Sequence, residues 1–348
     1  MSSRAALLWF VILMAFVAGV SIAVAGIRGR QAIPDPTSSS SGPAEPGPTS
    51  DCEVRFDTFT GAPLGIDEQP AYLGIVVENS PAARPLSGIE HAAIVYEVPA
   101  EGGITRFLAL FSRVPAGPVG PVRSVRPYIV ELAASHGVVL TFCGGSPDAL
   151  DMIRRMKYPG VNELARAAGF YRDSARRAPH NLYASPDALM RRIVGAGFSV
   201  GEARTGFVYD PATGADSEHR AQGLSARMGV QYTVKWAYSP ESGVYLRSVN
   251  GTPDVDRSGV YRMAAENVAV VFTPTRVLDA EGRLAVKLEG AGRAVVASGG
   301  SITEAKWERA SGQPLRLITE AGSDVALRPG RTWIHVVDTS TRLDLVED

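Results

Sequence analysis

The sequence is poor in the residues from which several common functional sites are built. It has two cysteines, Cys52 and Cys143, which form neither a C-x-x-C pair nor a metal-binding spacing. The five histidines are scattered without a pair at i and i+4, so no histidine-built metal site is expected. The segment Gly144-Gly145-Ser146 is not a nucleophile elbow, because it lacks the second glycine of G-x-S-x-G. We therefore expect no metal ion and no cofactor, and the sequence leaves open whether the two cysteines pair.

Lysine and net charge are scarce as well. Only four of the 35 basic side chains are lysines, and the 36 acidic residues bring the formal net charge to −1. Near-neutrality argues against a nucleic-acid partner, because nucleic-acid binders carry a basic excess. The many arginines supply groups that can bind a carboxylate or a phosphate through two parallel hydrogen bonds.

The N-terminal segment has almost no charge. Residues 5–27 contain no charged side chain, and about 23 residues are enough to cross a bilayer as a helix. Ala23-Val24-Ala25 also fits a signal-peptidase site, so residues 1–27 are predicted to be a transmembrane anchor or a signal peptide. Residues 28–50 are rich in Pro, Ser and Gly and are interpreted as a linker. We favour a retained single-pass transmembrane helix in the cell membrane, with the globular part outside the cytoplasm.

The first globular region, residues 51–205, has an α/β pattern. Three apolar runs predict strands, at Ile94–Val98, Ile104–Phe111 and Val138–Phe142. The first two runs are separated by five residues, which fits a hairpin. Ser124 and Ser146 are each placed to cap a helix, the first running to about residue 136. We therefore predict a mixed α+β fold for this region.

One pentapeptide occurs twice in this region. Ser185-Pro-Asp-Ala-Leu repeats Ser146-Pro-Asp-Ala-Leu letter for letter, and both copies are predicted to open a helix. Independent use of a good helix start and an internal βα duplication both explain the repeat.

The pattern changes beyond residues 206–228, which are predicted to form a connecting loop. Residues 229–348 contain many short β-rich runs separated by turn signals such as Asn250-Gly251 and Pro329-Gly330. This composition predicts a mostly antiparallel β domain. We therefore expect two folding units, with their boundary inside the connecting loop.

Several long motifs resemble the YerB-like family, bacterial extracytoplasmic lipoproteins of unknown function. The motifs are Glu78-Asn79-Ser80-Pro-Ala-Ala-Arg-Pro, Ile94-Val-Tyr-Glu-Val-Pro, Glu101-Gly-Gly-Ile-Thr-Arg-Phe-Leu-Ala, Gly120-Pro-Val-Arg-Ser-Val-Arg-Pro, Gly144-Gly-Ser-Pro, Pro179-His-Asn-Leu-Tyr, Tyr245-Leu-Arg, Glu266-Asn-Val and Leu327-Arg-Pro-Gly-Arg-Thr-Trp. The resemblance covers roughly residues 57–338 and implies a surface-exposed, two-domain α/β protein, without supplying an activity. Members of this family are usually anchored through a cysteine directly after the signal peptide. Here no cysteine directly follows the apolar run, and Cys52 lies beyond the linker, so the helix itself is expected to hold the chain.

Charged residues and glycines gather at the predicted strand ends and indicate a site. Glu97 and Glu101 are the candidate catalytic residues, as general base and acid if burial raises one pKa. The candidate ligand-binding residues are the polar, basic and glycine positions Asn79, Arg106, Arg123, Ser124, Arg126, Gly144, Gly145, Ser146, His180 and Asn181. Arginines beside helix amides suit a carboxylate or phosphate ligand. We expect the two glutamates, the three arginines and the Gly-Gly-Ser turn to converge in one cleft.

These residues are compatible with a buried Arg–Glu network that only fixes the fold, with ligand binding, or with catalysis. The main function hypothesis is a membrane-anchored extracytoplasmic binding or assembly protein of the bacterial cell envelope. It would recognise an anionic ligand, with a cell-wall component or an envelope protein as its partner. The alternative is an envelope hydrolase or transferase that uses Glu97 or Glu101, with arginines stabilising charge. Catalysis requires one of these carboxylates to face open water, whereas binding accepts both fully paired with arginine.

Overall fold

The computed structural model describes residues 54–214 and 223–346. The predicted anchor or signal peptide at 1–27, the linker at 28–50 and Cys52 lie outside these ranges. Within them, no helix is both long enough and apolar enough to cross a membrane. All the described residues belong to one compact unit.

The described residues form 22 strands and three α-helices. The strands before residue 215 are β1 (Leu73–Glu78), β2 (Ile94–Pro99), β3 (Thr105–Phe111), β4 (Val139–Phe142), β5 (Gly160–Asn162), β6 (Phe170–Arg172), β7 (Leu182–Ala184) and β8 (Val208–Tyr209). The strands after residue 222 are β9 (Gly223–Gly229), β10 (Tyr232–Ser239), β11 (Val244–Val249), β12 (Thr252–Pro253), β13 (Ala264–Ala265), β14 (Asn267–Thr273), β15 (Thr275–Val277), β16 (Leu284–Val286), β17 (Gly290–Ser298), β18 (Ser301–Arg309), β19 (Arg316–Ile318), β20 (Ala326–Leu327), β21 (Thr332–Asp338) and β22 (Leu343–Val346). The helices are α1 (Pro127–His136), α2 (Pro147–Met156) and α3 (Pro186–Gly195).

Ten strands form one mixed sheet, in the order β19-β18-β17-β14-β21-β2-β3-β1-β4-β5. The first and second halves of the chain meet where β2 and β21 run parallel, with Ile94 opposite Thr332 and Glu97 opposite His335. Strands from both sides of the predicted connecting loop therefore lie side by side in a single sheet. Sequence periodicity cannot show this pairing, because the two strands are far apart in the chain.

A second sheet, in the order β12-β11-β10-β9-β22, is antiparallel throughout, and β13 also pairs with β11. It confirms that the C-terminal part consists mostly of antiparallel strands. Strand β9 begins inside the predicted connecting loop and β8 lies within it, so residues 206–228 are not loop throughout. Strand formation there follows from pairing with β10 and β20 rather than from a local apolar run.

The large sheet is covered on both faces. One face packs Val98 and Leu108 in the same cluster as Tyr128 and Ile129 of α1. The other face packs Phe107 in the same cluster as Trp236 and other residues of the second sheet. Near-continuous apolar runs such as β1 and β3 are expected for strands buried on both faces.

The strands predicted in the first region are confirmed, including the antiparallel β2–β3 hairpin. The predicted capping role of Ser124 is wrong, because α1 begins at Pro127 with Arg126 as its N-cap and without a side-chain cap. The preceding residues are extended, since Val125 bridges to Gly145 and a residue before proline avoids the helical region. Ser146 caps α2 as predicted, its hydroxyl accepting a hydrogen bond from the Ala149 N–H at 3.4 Å.

Candidate functional site

The candidate site lies at one edge of the large sheet, where several strands end. Strands β1 and β4 are parallel, and β1 and β2 are both antiparallel to β3, so β1, β2 and β4 run in one direction. Their carboxyl ends therefore share an edge with the first residues of β3. This edge carries most of the predicted site residues, because they directly follow β1, β2 and β4 or begin β3.

The predicted residues separate onto two faces of the sheet at this edge. Arg106 lies opposite Glu78 in β1 and opposite Val98 in β2, whereas Glu97 lies opposite Phe107. Because successive side chains of a strand point to opposite faces, Glu97 and Arg106 project in opposite directions. The prediction that Glu97 converges with the arginines in one cleft is therefore wrong.

The face that carries Arg106 holds an arginine cluster, which consists of Arg106, Arg123 and Arg126. Arg126 donates through Nε to Glu101, and Arg106 Nη2 lies 3.2 Å from the second carboxylate oxygen of Glu101. Arg123 Nε lies 3.4 Å from Glu78 Oε2. The Nη1 group of Arg106 is buried and has no hydrogen-bond partner among the described residues. The cluster sets three guanidinium groups against two carboxylates, which leaves an excess of positive charge.

Glu78 connects the arginine cluster to His180. The Nδ1 atom of His180 lies 2.8 Å from Glu78 Oε1, and the Ser80 hydroxyl donates to the same oxygen at 2.7 Å. The other predicted site residue of this segment, Asn181, accepts a hydrogen bond from Arg172 through its side chain at 3.1 Å. His180 thus belongs to the edge of the arginine cluster, and Asn181 belongs to a neighbouring contact.

The charges around Glu101 keep its carboxylate ionised. Partial burial raises the pKa of Glu101, but the hydrogen bond from Arg126 and the charge of Arg106 outweigh burial, and the pKa is lowered. Burial, followed by repulsion from Arg126, lowers the pKa of Arg106. An ionised Glu101 held between arginines is a poor general base and a good positioning group.

The Gly-Gly-Ser turn has a structural role that the sequence did not show. The Gly144 N–H donates to the Asn162 side chain at 2.9 Å, and the Ser146 N–H donates to the Val125 carbonyl at 3.3 Å. A Cβ on Gly145 would lie 2.7 Å from the Val125 side chain, so glycine is needed for close approach. A Cβ on Gly144, whose φ is +63°, would lie 2.8 Å from the Leu164 side chain and 4.0 Å from the Ser124 hydroxyl, so glycine is favoured here as well. The turn thus holds the arginine-bearing segment against β4, and two amides that were expected to face an anion are already bonded.

Glu97 is the centre of a separate buried network on the opposite face. Its carboxylate is 0 % exposed. One oxygen, Oε1, accepts hydrogen bonds from Asn79 at 3.0 Å, Thr105 at 2.7 Å and Tyr232 at 2.6 Å. The other oxygen, Oε2, accepts from Arg247 at 2.9 Å. Burial raises the pKa of Glu97, but the charge of Arg247 and the contacts with His335 and Tyr232 lower it well below its usual range.

Arg247 and His335 were missed by sequence reasoning. Arg247 also pairs with Asp254 and lies over the Trp333 ring, 4.9 Å from its centroid. His335 Nδ1 lies 3.1 Å from Glu97 Oε2, and its Nε2 accepts a hydrogen bond from Trp236 at 2.7 Å. Burial lowers the pKa of His335 and outweighs the opposing effect of Glu97, which favours the neutral ring. The available signal was the motif Tyr245-Leu-Arg, which carries Arg247, but nothing in it indicates a partner 150 residues earlier.

Fold and sequence together define the class of the chain as a two-part mixed α/β protein. Residues 59–199 match the family described as Protein of unknown function (DUF3048) N-terminal domain, and residues 224–334 match the corresponding C-terminal domain. The chain belongs to this family, and the resemblance to YerB-like proteins is confirmed.

A sequence relative and a solved structure support the assignment. The chain is 30% identical over 268 residues to YerB, a predicted lipoprotein of Bacillus subtilis (strain 168), covering 76% of this chain and 80% of the relative. The crystal structure of the YerB protein from Bacillus subtilis matches with a TM-score of 0.75 at 28% identity, covering 83% of this chain and 99% of that one. The similarity thus extends through both parts of the fold.

Proposed function

We propose that this chain is an extracytoplasmic binding protein of the bacterial cell envelope that holds a carboxylate- or phosphate-bearing ligand in the arginine cluster. The observation that supports this proposal most directly is the exposure and pairing of the Arg123 guanidinium. Its side chain is 29% exposed, and its one contact with a carboxylate in the described structure is through Nε. The two Nη groups of a guanidinium are the pair that forms a fork on an oxyanion. Arg106 Nη1, which is buried and has no hydrogen-bond partner in the described parts of the chain, supplies a further donor.

Binding is favoured over the alternative of carboxylate-based hydrolysis or group transfer. Glu97 is enclosed by five protein groups, and Glu101 is paired with two arginines. The pKa of each carboxyl is lowered rather than raised, so neither holds a proton to donate near neutral pH. The excess positive charge of the arginine cluster is what an anionic ligand would neutralise.

The envelope location rests on the sequence and on the family. Residues 5–27 lack charged side chains, and residues 28–50 have the composition of a linker. The relative YerB is a predicted lipoprotein. We propose that the N-terminal segment of this chain is a single-pass membrane anchor that holds the globular part outside the cytoplasm. A cell-wall component or an envelope protein would then be the partner, rather than a nucleic acid.

The test is ligand-induced stabilisation of the full chain and its Arg123→Lys variant. The probes are inorganic phosphate, glycerol phosphate and glucuronate, each compared with chloride at equal ionic strength. Lysine keeps the charge but loses the planar fork, so the variant should melt at nearly the wild-type temperature without ligand. At a ligand concentration of about 100 Kd, binding adds roughly 2.7 kcal/mol to wild-type stability. We expect the variant to lose most of this gain.

The matched control is Arg154→Lys, on the exposed surface of α2, where Arg154 pairs with Asp151. This variant should retain the full stabilisation. If every probe stabilises Arg123→Lys as much as wild type, the arginine cluster is not the binding site. If no probe acts beyond its ionic strength on any of the three proteins, the anionic class of ligand is wrong.

A further inference from the structure

A cavity lies on the opposite face of the sheet edge, above the Glu97 network. Its volume is about 400 Å³, and its lining comes from seven residues between Asn79 and Thr105 and from five residues between Val230 and Asn250. Its volume lies in the range of about 300–1,000 Å³ that is typical of small-ligand pockets. The arginine cluster projects from the other face, so this cavity does not depend on the anion site.

The floor of the cavity is polar but carries no net charge. It is formed by Asn79, Thr105 and Tyr232. Each of these side chains already donates a hydrogen bond to Glu97, and together they separate Glu97 from the cavity. Arg84 also lines it and pairs with Asp254 at 2.6 Å. The charged groups at and beneath the floor are two carboxylates, Glu97 and Asp254, and two guanidiniums, Arg84 and Arg247. Because these charges balance and are paired, an ion entering the cavity would lose its hydration without gaining a partner.

The walls of the cavity are aliphatic. Pro81, Ile104, Val230 and Val249 line it, and Val230 is 80% exposed although it is a valine. Uncharged hydrogen-bonding groups remain between these walls. The Gln231 side chain makes no hydrogen bond within the described part of the chain, and a Cβ on Gly102 or Gly103 would meet nothing within 4 Å. Space for a ligand therefore remains beside the α-carbons of this glycine pair.

From these features, we propose that the cavity binds an uncharged, aliphatic peptide segment. Peptide groups match the free amide of Gln231 and fit the space beside the two glycines, and small aliphatic side chains match the walls. An uncharged sugar fits less well, because sugar rings pack on open aromatic faces. The one aromatic ring in the lining belongs to Tyr232, and the Arg84 guanidinium stands over it, 5.8 Å from the centroid.

The test is calorimetric titration of the full chain with the capped tripeptide N-acetyl-Ala-Val-Ala-amide, with chitotriose as the uncharged sugar. We expect saturable binding of the tripeptide only. Val230→Glu places a carboxylate at an exposed position of the wall. It should raise the Kd for the tripeptide by more than about tenfold, because this carboxylate must lose water when the ligand binds. The matched control is Val277→Glu, at a valine that is 66% exposed in β15 and outside the cavity lining. It should bind like wild type.

Two results would overturn the proposal. One is saturable binding of chitotriose without binding of the tripeptide at millimolar concentration, which would assign the cavity to a sugar. The other is a tripeptide affinity of Val230→Glu equal to that of wild type and Val277→Glu, which would place the peptide elsewhere. Absence of binding by either probe also counts against the proposal. Circular dichroism of both valine variants checks that they fold.

Discussion

Neighbouring residues of one strand have different surroundings in this protein, because their side chains project from opposite faces of the sheet. Glu97 and Val98 are neighbours in β2, yet Glu97 enters a buried network with Arg247, and Val98 packs against α1 on the other face. The sequence shows that charged residues occur near the strand ends. It does not show which face each of them takes, because both faces of this sheet are buried and the alternation of polar and apolar residues is lost.

The pH dependence of stability can be used to test the effect of one buried polar side chain, His136. The Tyr96 hydroxyl lies 2.8 Å from its Nε2, and its Nδ1 lies 2.7 Å from the Arg204 carbonyl oxygen, so the neutral ring is fully bonded. Burial lowers its pKa to about 4, and the Arg204 carbonyl opposes this only in part. Between about pH 6.5 and pH 4 the unfolded chain binds a proton that the folded protein does not, so stability falls as the pH falls. We expect this histidine to remove roughly 3 kcal/mol of unfolding free energy over that range.

Urea unfolding at pH 7 and at pH 4.5 measures the effect. His136→Gln should show a smaller loss between the two pH values than wild type, although buried His335 leaves part of the loss in place. His91→Gln, at a histidine whose side chain is 43% exposed, should keep the wild-type loss. An unchanged pH dependence in His136→Gln would show that protonation of this ring does not drive the loss.

At the scale of elements, the two identical pentapeptides form helix starts that differ in one bond. Ser146 accepts a hydrogen bond from the Ala149 N–H, whereas the equivalent Ser185 makes no side-chain cap. The strands before them also differ, since β4 lies inside the large sheet and β7 forms a two-stranded sheet with β6. The same five residues thus specify a helix start, and the surroundings determine how the serine is used.

This pair of serines allows a matched comparison. Ser146→Ala should lower the free energy of unfolding by about 1 kcal/mol, because a helix N–H loses its partner. Ser185→Ala should cost clearly less, because no such bond is present. Equal losses in urea unfolding of the two variants would contradict the difference seen between the two caps.

Individual elements were largely predictable, and their long-range partners were not. Strands β2 and β3 were recognised from local apolar runs, and α2 from its Ser-Pro start. The arginine cluster was also predicted in part. Glu101 pairs with Arg106 and Arg126, and the charge of Arg123 acts on Arg106. The pairing of Glu97 with Arg247 could not be predicted from one sequence, because it depends on how the second sheet covers the first.

At the scale of the whole molecule, the two family regions share one sheet. Strand β2 of the first region lies between β3 and β21, and β21 begins at the end of the second region. The Glu97–Arg247 pair joins the same regions beneath the sheet, with both side chains 0 % exposed. The regions that the family definitions treat as two units are therefore expected to depend on each other for stability.

Cleavage between the regions tests this dependence. With a protease site inserted between Gly214 and Gly223, the cut chain should still elute as one species in native gel filtration, and the pieces should separate only in urea. Arg247→Met should markedly lower the urea concentration at which the two pieces separate, because leaving Glu97 buried without its partner costs about 3–5 kcal/mol. Arg293→Met removes an exposed pair with Glu304, so it should change this concentration little, since exposed pairs contribute at most about 1 kcal/mol. Two separate folded species directly after cleavage of the wild-type chain would show instead that the regions are independent units, with the shared sheet contributing little to their association.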